Sequence, residues 1–547
     1  MHSDHKTMDV ARGKAGRAYV PVLLLSLLLA LSPALPAAET PTHPNIVFIL
    51  CDDLGYGDVK CLNPEGKIAT PRLDQIVKEG MTFTDAHSGS GVCSPTRYGV
   101  ITGRYAWRSK LQSGVLGGLS PRLIEQDRLT VAQMLKTAGY HTYCIGKWHL
   151  GMDWVKLPGK EVTELGIEPL EQNRNVDYTQ PITNGPNSVG FDEYFGISAS
   201  LDMVPYTFIE NDHLTAQPTE ENAFAMMLGR PGGKTRLGPA APGFEALDVL
   251  PTLAQRAVVT IKTRAAAAQK KDKPFFLYLP LASPHTPIAP TDEWQGKSQL
   301  NPYADFVMQT DHVIGQVMDA IDKNGLAENT LLIVTSDNGC APLADIPELL
   351  KLGHNPSYHF RGHKADIYEG GHRVPFLARW KGQVAAGSKC DDTICLTDFM
   401  ATCADITGTK LPATAAEDSV SFLPALRGTT DRPRRPAVVH HSINGSFAIR
   451  DGDWKLALCP GSGGWSAPGP GKQPEGSPPV QLFNLAQEIG EQTNLVDQHP
   501  EQVTRLTQLL EQFVANGRST PGEPQANAVP VKLIKDAPKP RNAKPKS

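Results

Sequence analysis

The stretch Asn45-Ile-Val-Phe-Ile-Leu-Cys-Asp-Asp-Leu-Gly-Tyr-Gly-Asp58 joins an apolar run to a polar turn that opens with two adjacent carboxylates. A short run of large apolar residues is typical of a strand that is buried on both faces of a sheet. Side chains placed directly after such a strand lie at its carboxyl end, where open α/β sheets bind their ligands. The stretch therefore predicts a central parallel strand that delivers Asp52 and Asp53 to a functional site.

Three later stretches have the same form, with apolar runs at 141–145, 275–281 and 331–335. The polar residues that follow these runs are Lys147 and His149, His285, and Asp337 and Asn338. Segments that begin or end with helix signals lie between the runs and predict helices at 71–80, 129–139 and 303–324. The alternation predicts an α/β fold in which helices sandwich a mostly parallel central sheet.

Composition divides the 547-residue chain into four parts. Residues 1–38 have basic residues before an apolar run broken by prolines and serines, which favours a cleaved signal peptide over a membrane anchor. Residues 39–430 are expected to form the catalytic domain. Residues 431–517, with short alternating segments and a final amphipathic stretch, predict a smaller α+β domain with an antiparallel sheet. Residues 518–547, rich in Pro, Lys and Ala, predict a disordered basic tail.

Charge and cysteine content narrow the classes of function. A formal net charge of -4 provides no general attraction for nucleic acid, and the signal peptide predicts a periplasmic or secreted protein, or a lysosomal-type location in a eukaryote, without stable membrane insertion. The nine cysteines are too scattered for a small disulfide scaffold. An oxidising compartment would allow disulfides among Cys390, Cys395 and Cys403, with no particular connectivity favoured.

The acidic residues after the first and last runs suit a metal ion. Asp52, Asp53, Asp337 and Asn338 offer only oxygen ligands, which favour a hard cation over zinc, and Ca²⁺ is preferred over Mg²⁺ because the ligands resemble an all-protein cage. One such pair alone would more often cap a helix or form a turn. Two pairs at two strand ends, each followed by glycine, favour metal binding.

Cys93 lies in Gly91-Val-Cys-Ser-Pro-Thr-Arg97, where the proline predicts the first turn of a helix. The positive end of that helix would favour an anion at Cys93, and Arg97 lies one turn further on the same face. Two chemistries fit these residues. Cys93 is either a thiolate nucleophile with a depressed pKa, or a cysteine that is modified after synthesis.

The remaining candidates are basic residues with structural alternatives. Lys147 and His149 stand two apart, which sends both side chains to one side if the strand continues, although a snorkelling lysine and a buried core histidine would give the same pattern. His285 lies between two prolines in a stiff segment that suits a positioned acid or base. Lys364 lies in a segment whose glycines and proline have structural roles.

The Cys-Ser-Pro-Thr-Arg sequence resembles the Cys-x-Pro-x-Arg signature of the type I sulfatases, whose fold is alkaline-phosphatase-like. Other stretches resemble the family's blocks in the family's order across roughly residues 44–515: Asp52–Asp58, Gly146–Gly151, Ser336–Gly339, Lys364 with Glu369-Gly-Gly and Arg373-Val-Pro375, and Gln481–Leu485. The resemblance implies a sulfatase in which Cys93 is converted to formylglycine by a modifying enzyme.

The resemblance also implies a role for each candidate. The implied Ca²⁺ ligands are Asp52, Asp53, Asp337, Asn338 and the modified Cys93. Arg97 and Lys147 are implied to orient the formylglycine hydrate, with His149 as its base. His285 and Lys364 are implied to bind the sulfate and to assist the leaving oxygen.

Two other functions remain open. A phosphate mono- or diesterase of the same superfamily would typically use two zinc ions and a Ser or Thr nucleophile, and no histidine-rich second metal set is visible. A non-catalytic binder of sulfated glycans would require the loss of a catalytic residue. The substrate is expected to be a sulfated carbohydrate, with a weak resemblance to sulfatases acting on galactose or N-acetylgalactosamine 6-sulfate. The variable loops expected to select it are 108–122, 152–248 and 341–361, the last with His354, His359 and Arg361.

Overall fold

The structure, a computed structural model, describes residues 43–268, 273–429 and 434–535. The predicted signal peptide, residues 1–38, lies outside the described residues. The predicted first strand is present as β1 (Asn45–Asp52). The other strands are β2 (Met81–Phe83), β3 (Ala86–His87), β4 (His141–Lys147), β5 (Glu193–Ile197), β6 (Ile209–Glu210), β7 (His213–Leu214), β8 (Glu220–Asn222), β9 (Gly238–Ala240), β10 (Phe275–Pro284), β11 (Thr330–Ser336), β12 (Phe376–Arg379), β13 (Ser388–Cys390), β14 (Ile394–Cys395), β15 (Val438–His441), β16 (Phe447–Asp451), β17 (Trp454–Ala457) and β18 (Gln481–Asn484).

The helices confirm the three that the sequence predicts, as α1, α3 and α5. The full set is α1 (Pro71–Glu79), α2 (Cys93–Thr102), α3 (Val131–Thr137), α4 (Ala246–Ala268), α5 (Pro302–Lys323), α6 (Ile346–Lys351), α7 (Glu369–His372), α8 (Phe399–Thr407), α9 (Leu423–Leu426) and α10 (Pro500–Ala515).

The main sheet has ten strands in the order β13-β2-β12-β11-β1-β10-β4-β5-β6-β7. Its five central strands, β11 to β5, are parallel to their neighbours, and antiparallel pairs occur only toward the two edges. This arrangement confirms the predicted α/β class. Because parallel strands end at the same edge, the polar residues after β1, β4, β10 and β11 are brought together.

Both faces of β1 are buried, as its continuous apolar sequence predicts. Ile46 and Phe48 belong to one core cluster, which also contains residues of α2, α3 and α8. Val47 and Ile49 point to the opposite face and belong to a second cluster with residues of α1, α4 and α5. Alternation along an extended strand thus divides one apolar run between two helical layers.

The C-terminal domain has the predicted antiparallel sheet, with four strands in the order β15-β16-β17-β18. Leu506 and Leu510 of α10 pack in a core with Ile449 and Leu456 of this sheet. Trp107, which precedes β15 by more than three hundred residues, is buried in the same core. The small domain therefore packs directly on the loop that follows α2.

The interpretation of 152–248 and 341–361 as loops is wrong in part. The first segment contains β5 to β9 and the start of α4, and the second contains α6. Pro251 lies inside α4, past its first turn, where it cannot donate the usual helical hydrogen bond to the carbonyl of Leu247. None of the nine cysteines, all of which lie in the described ranges, forms a disulfide, so no disulfide joins Cys390, Cys395 and Cys403. Within the described ranges, no helix combines the length and apolar character of a membrane span.

The prediction of a disordered tail from residue 518 is wrong for residues 518–535. Arg104 donates to the carbonyl of Ala526 at 3.0 Å, and Arg108 donates to Asn527 Oδ1 at 3.0 Å. Both arginines are buried, so their guanidinium groups require acceptors, and the tail supplies one backbone and one side-chain oxygen. Residues 536–547 lie outside the described residues.

Candidate active site

The ends of β1 and β11 bring three carboxylates into one place. Cys51 lies beside Ser336 in the parallel ladder, so Asp52 and Asp337 follow neighbouring strand ends. Asp53 has a left-handed backbone (φ 66°) that turns the chain out of the strand, and its N–H donates to Asp337 Oδ1 at 3.2 Å. All three carboxylates are buried, so they require counter-charges.

Asn338 and His285 complete the acidic side of the site. Asn338 Nδ2 donates to Asp53 Oδ1 at 2.7 Å. One ligand atom from each of Asp52, Asp53, Cys93 and His285 lies within 4.8 Å of the others. The structure therefore brings together all five residues that the sequence predicts as metal ligands, at the carboxyl edge of the sheet.

Three buried cations face this acidic group. Arg97 donates to Asp337 Oδ2 at 2.7 Å and lies 3.5 Å from Asp52 Oδ2. Lys147 Nζ donates to Asp52 Oδ2 at 2.6 Å. Lys364 Nζ contacts both oxygens of Asp53, at 2.7 and 2.8 Å. All three predicted cations thus reach the site from three separate segments of the chain.

The pKa values of Asp52 and Asp337 are shifted in opposite directions. Burial opposes the ionisation of Asp52, but the charges of Lys147, His285 and Arg97 hold its pKa well below the ordinary value. Burial and the neighbouring charge of Asp52 instead raise the pKa of Asp337 to about 7. A divalent cation at this position would relieve the repulsion between the two carboxylates.

Two observations show that the residues present fit a hard cation. Asp52 Oδ1 and Asn338 Oδ1 are both buried and have no hydrogen-bond partner within the described part of the chain. Unpaired buried oxygens are costly, and hard cations are bound by carboxylate and amide oxygens. The donors near Asp53 are mainly carboxylate and amide oxygens, whereas zinc sites are usually built from several histidine or cysteine ligands.

Cys93 is the first residue of α2, as the sequence predicts, and only 3% of it is exposed. Burial raises the pKa of its thiol to about 11, although Lys147 and Lys364 act in the opposite direction. A thiol with a raised pKa is mostly protonated at neutral pH and is a poor nucleophile. The raised pKa therefore disfavours the alternative in which Cys93 is an activated thiolate.

His149 has one ring nitrogen bonded and one free. Its Nε2 lies 2.8 Å from the carbonyl oxygen of Leu116, so Nε2 carries the proton. Its buried Nδ1 has no hydrogen-bond partner among the residues described. Burial, together with Lys147 and Arg97, lowers the pKa of His149 well below the ordinary value. The ring is therefore neutral, with a lone pair that can accept a proton.

The structure differs from the predicted geometry of this segment. Strand β4 ends at Lys147, and His149 has a left-handed backbone with φ 56°. The extended conformation that would send Lys147 and His149 to one side therefore does not continue to His149. The two residues instead reach the site from a strand end and from the turn that follows it.

Ser200 is a site residue that sequence reasoning missed. Its Oγ accepts from Lys147 Nζ at 3.1 Å and lies 3.3 Å from His285 Nδ1, which in turn lies 2.6 Å from the carbonyl oxygen of Thr286. Ser200 follows β5, which pairs with β4 in the parallel part of the sheet. The rule that polar residues after buried strands gather at one edge would have found it, had the short strand β5 been recognised.

The fold and the site define a hydrolase of the alkaline-phosphatase-like class, with a buried cluster of carboxylates and cations at the carboxyl edge of its sheet. Residues 44–409 match the family described as Sulfatase, and the chain belongs to this family of sulfuric ester hydrolases.

Relatives of known name span most of the chain. The N-acetylgalactosamine-6-O-sulfatase of Bacteroides thetaiotaomicron is 33% identical over 508 residues, which cover 86% of this chain and 93% of that protein. Arylsulfatase A of Homo sapiens is 33% identical over 443 residues, which cover 79% of this chain and 77% of that protein. A structure solved in a study of glycosaminoglycan metabolism by Bacteroides thetaiotaomicron has a TM-score of 0.72 at 30% identity, covering 86% of this chain and 99% of that one.

Proposed function

We propose that this sulfatase is an exported enzyme that hydrolyses sulfate monoesters of carbohydrates, with galactose or N-acetylgalactosamine 6-sulfate as the leading candidates. The name of the Bacteroides thetaiotaomicron relative supports this substrate class, since it is 33% identical along most of both chains. The single observation that carries the mechanism is the position of Cys93. Its buried thiol, with a raised pKa, lies at a helix N-terminus between carboxylates and cations.

The mechanism requires formylglycine at position 93, made from Cys93 by a modifying enzyme. The hydrate of that aldehyde carries two hydroxyls: one attacks the sulfur and displaces the sugar oxygen, and deprotonation of the other expels inorganic sulfate and restores the aldehyde. Arg97 and Lys147, which bond the carboxylates of the site, would orient the two hydroxyls. The free Nδ1 of His149 serves as the base for the second step.

The ligands for one Ca²⁺ would be Asp52, Asp53, Asp337, Asn338 and residue 93. When bound, Ca²⁺ supplies positive charge to the sulfate oxygens. Lys364 and His285 both lie beside Asp53, with His285 Nε2 at 3.7 Å from Asp53 Oδ2. These two residues bind the sulfate, and His285 gives a proton to the departing sugar oxygen.

The test combines the chemistry of residue 93 with the release of sulfate. Mass spectrometry of the peptide that ends at Arg97 is expected to show a loss of about 18 Da from Cys93, because CH₂SH is replaced by CHO. The same preparation is expected to release inorganic sulfate from sulfated galactose or N-acetylgalactosamine, and no phosphate from the matching phosphate esters. Cys93→Ser is expected to bind the sulfated sugar with negligible turnover. Full activity in protein whose Cys93 can still be alkylated would overturn the mechanism.

A further inference from the structure

A loop of the C-terminal domain folds back onto the segment that carries Lys364. Residues 462–466, called the indole loop below, belong to a Gly- and Pro-rich stretch between β17 and β18. The N–H of Ile367 donates to the carbonyl of Ser462 at 2.8 Å. A Cβ atom at Gly464 would lie only 2.4 Å from the carbonyl oxygen of Ala365, so the approach requires glycine. The loop is therefore seated one residue away from Lys364.

A single buried carboxylate fixes this contact. Asp366 accepts from the N–H of Trp465 at 2.8 Å and from the N–H of Ser466 at 3.0 Å. The same carboxylate accepts from the N–H of His363 at 3.0 Å, on the other side of Lys364. Because Asp366 is fully buried, these charge-assisted bonds hold both segments in one geometry.

The contact extends to the residues that precede Cys93. The N–H of Ala365 donates to the carbonyl of Gly91 at 2.7 Å. The carbonyl of Ala365 accepts from the N–H of Ile443, at the turn between β15 and β16. Ala365 thus connects the indole loop with the start of α2, so the loop is anchored on the segment that links Lys364 to the residues before Cys93.

The indole loop, anchored by Asp366, carries an exposed tryptophan, Trp465. The chain has seven tryptophans, all within the described ranges, and only Trp465 is exposed, at 51%. An indole offers a large apolar face whose electron-rich π system attracts C–H groups. Because the loop is anchored by Asp366, this exposed face is held in a fixed position and is available for contact with a ligand.

We propose that Trp465 is a specificity residue that stacks on the sugar ring of the sulfated substrate. This inference rests on the carbohydrate sulfatase function proposed above and names one element of its substrate recognition. A pyranose presents a face of C–H groups, which fits the indole, while the sulfate is bound by the buried cations beyond Lys364. The stacking contributes to binding in both the ground state and the transition state, so it acts on KM more than on kcat.

The first test is kinetic and compares Trp465→Ala, Trp465→Phe and Trp294→Ala. Trp294 is a half-buried tryptophan on another surface turn, beneath Lys297, and serves as the control. For N-acetylgalactosamine 6-sulfate, Trp465→Ala is expected to raise KM about tenfold, the effect of losing an aromatic contact of this size, with little change in kcat. Trp465→Phe is expected to recover most of the affinity, and Trp294→Ala to behave like the wild type.

The second test does not depend on turnover. In the Cys93→Ser background, N-acetylgalactosamine 6-sulfate is expected to protect the fluorescence of Trp465 from acrylamide quenching, and the protection is expected to vanish in Trp465→Ala. Suppose that the wild type releases sulfate from saccharides, that Trp465→Ala keeps the wild-type KM, and that the sugar protects no fluorescence. The role of Trp465 is then overturned, while the carbohydrate function stands. If the wild type cleaves an aryl sulfate and no saccharide, the proposed carbohydrate function is overturned as well.

Discussion

Replacing Asp337 by asparagine separates two effects of this carboxylate that alanine would remove together. In the wild type, Asp337 Oδ2 accepts from Arg97 at 2.7 Å, and Asp337 also lies beside the charge of Asp52. Asparagine keeps the size and one acceptor oxygen but removes the charge. Weakening the bond to Arg97 costs about 1.5 to 3 kcal/mol of folding stability. Removing the repulsion between Asp337 and Asp52 stabilises the folded state by a similar amount, so the two effects largely cancel. Without metal, we expect the free energy of unfolding to change by less than about 2 kcal/mol.

The effect of calcium on the same variant is expected to be large. At a Ca²⁺ concentration of 100 times the dissociation constant, binding stabilises the folded wild type by about 2.7 kcal/mol. Loss of one of three carboxylate charges is expected to weaken binding about a hundredfold, which leaves about 0.4 kcal/mol at the same concentration. Activity is expected to fall together with the bound metal, and zinc is not expected to restore it, because the ligand set suits a hard cation.

Denaturant unfolding of Asp337→Asn and the wild type, each in chelator and in graded Ca²⁺, measures these quantities, and metal analysis counts the bound ion. Glu161→Gln is the matched control, since it removes one negative charge from an exposed pair with Lys156. A variant that gains as much stability from Ca²⁺ as the wild type, at the same concentrations, would refute the assignment of Asp337 as a ligand.

Removing residues 518–547 is expected to lower the free energy of unfolding by about 2 to 6 kcal/mol in denaturant titration, because Arg104 and Arg108 lose acceptors while staying buried. Removing only 536–547 is the control, and equal stability of the two truncations would contradict the reasoning. Burial raises the pKa of Asp311 to about 7, so the folded state binds this proton more tightly than the unfolded state. The stability that this group contributes is therefore lost as the pH rises from about 4 to 7, by up to about 4 kcal/mol. Asp311→Asn is expected to flatten that part of the pH profile, and parallel profiles would contradict the assignment.

The parts of the site that lie at strand ends could be predicted because a parallel sheet leaves little freedom there. Asp52 and Asp337 follow runs whose apolar sequence identifies buried strands, and neighbouring parallel strands end at one edge. The cysteine could be placed at a helix N-terminus because Pro95 marks the first turn. The core follows from the same runs, because alternate residues of one strand must face two helical layers.

The remaining parts depend on contacts between residues far apart in the sequence. Ser200 is an isolated serine after a short strand that the sequence analysis did not recognise, and its contact with Lys147 appears only in the folded structure. The tail has a composition typical of disorder, yet 518–535 is ordered by hydrogen bonds to arginines more than four hundred residues earlier. The buried thiol of Cys93 shows its raised pKa only when the surrounding residues are assembled.

The order of strands in the sheet has a consequence for the timing of modification. Strand β1 is the first strand made, but its partners β10 and β11 follow it by more than two hundred residues. Arg97, on the helix that begins with Cys93, is paired by Asp337, which comes after β11. At synthesis rates of 5–20 residues per second, the chain therefore takes roughly 10 to 50 s to extend from Cys93 to Asp337. A modifying enzyme that needs an accessible cysteine has this interval, set by strand order, before folding closes over residue 93.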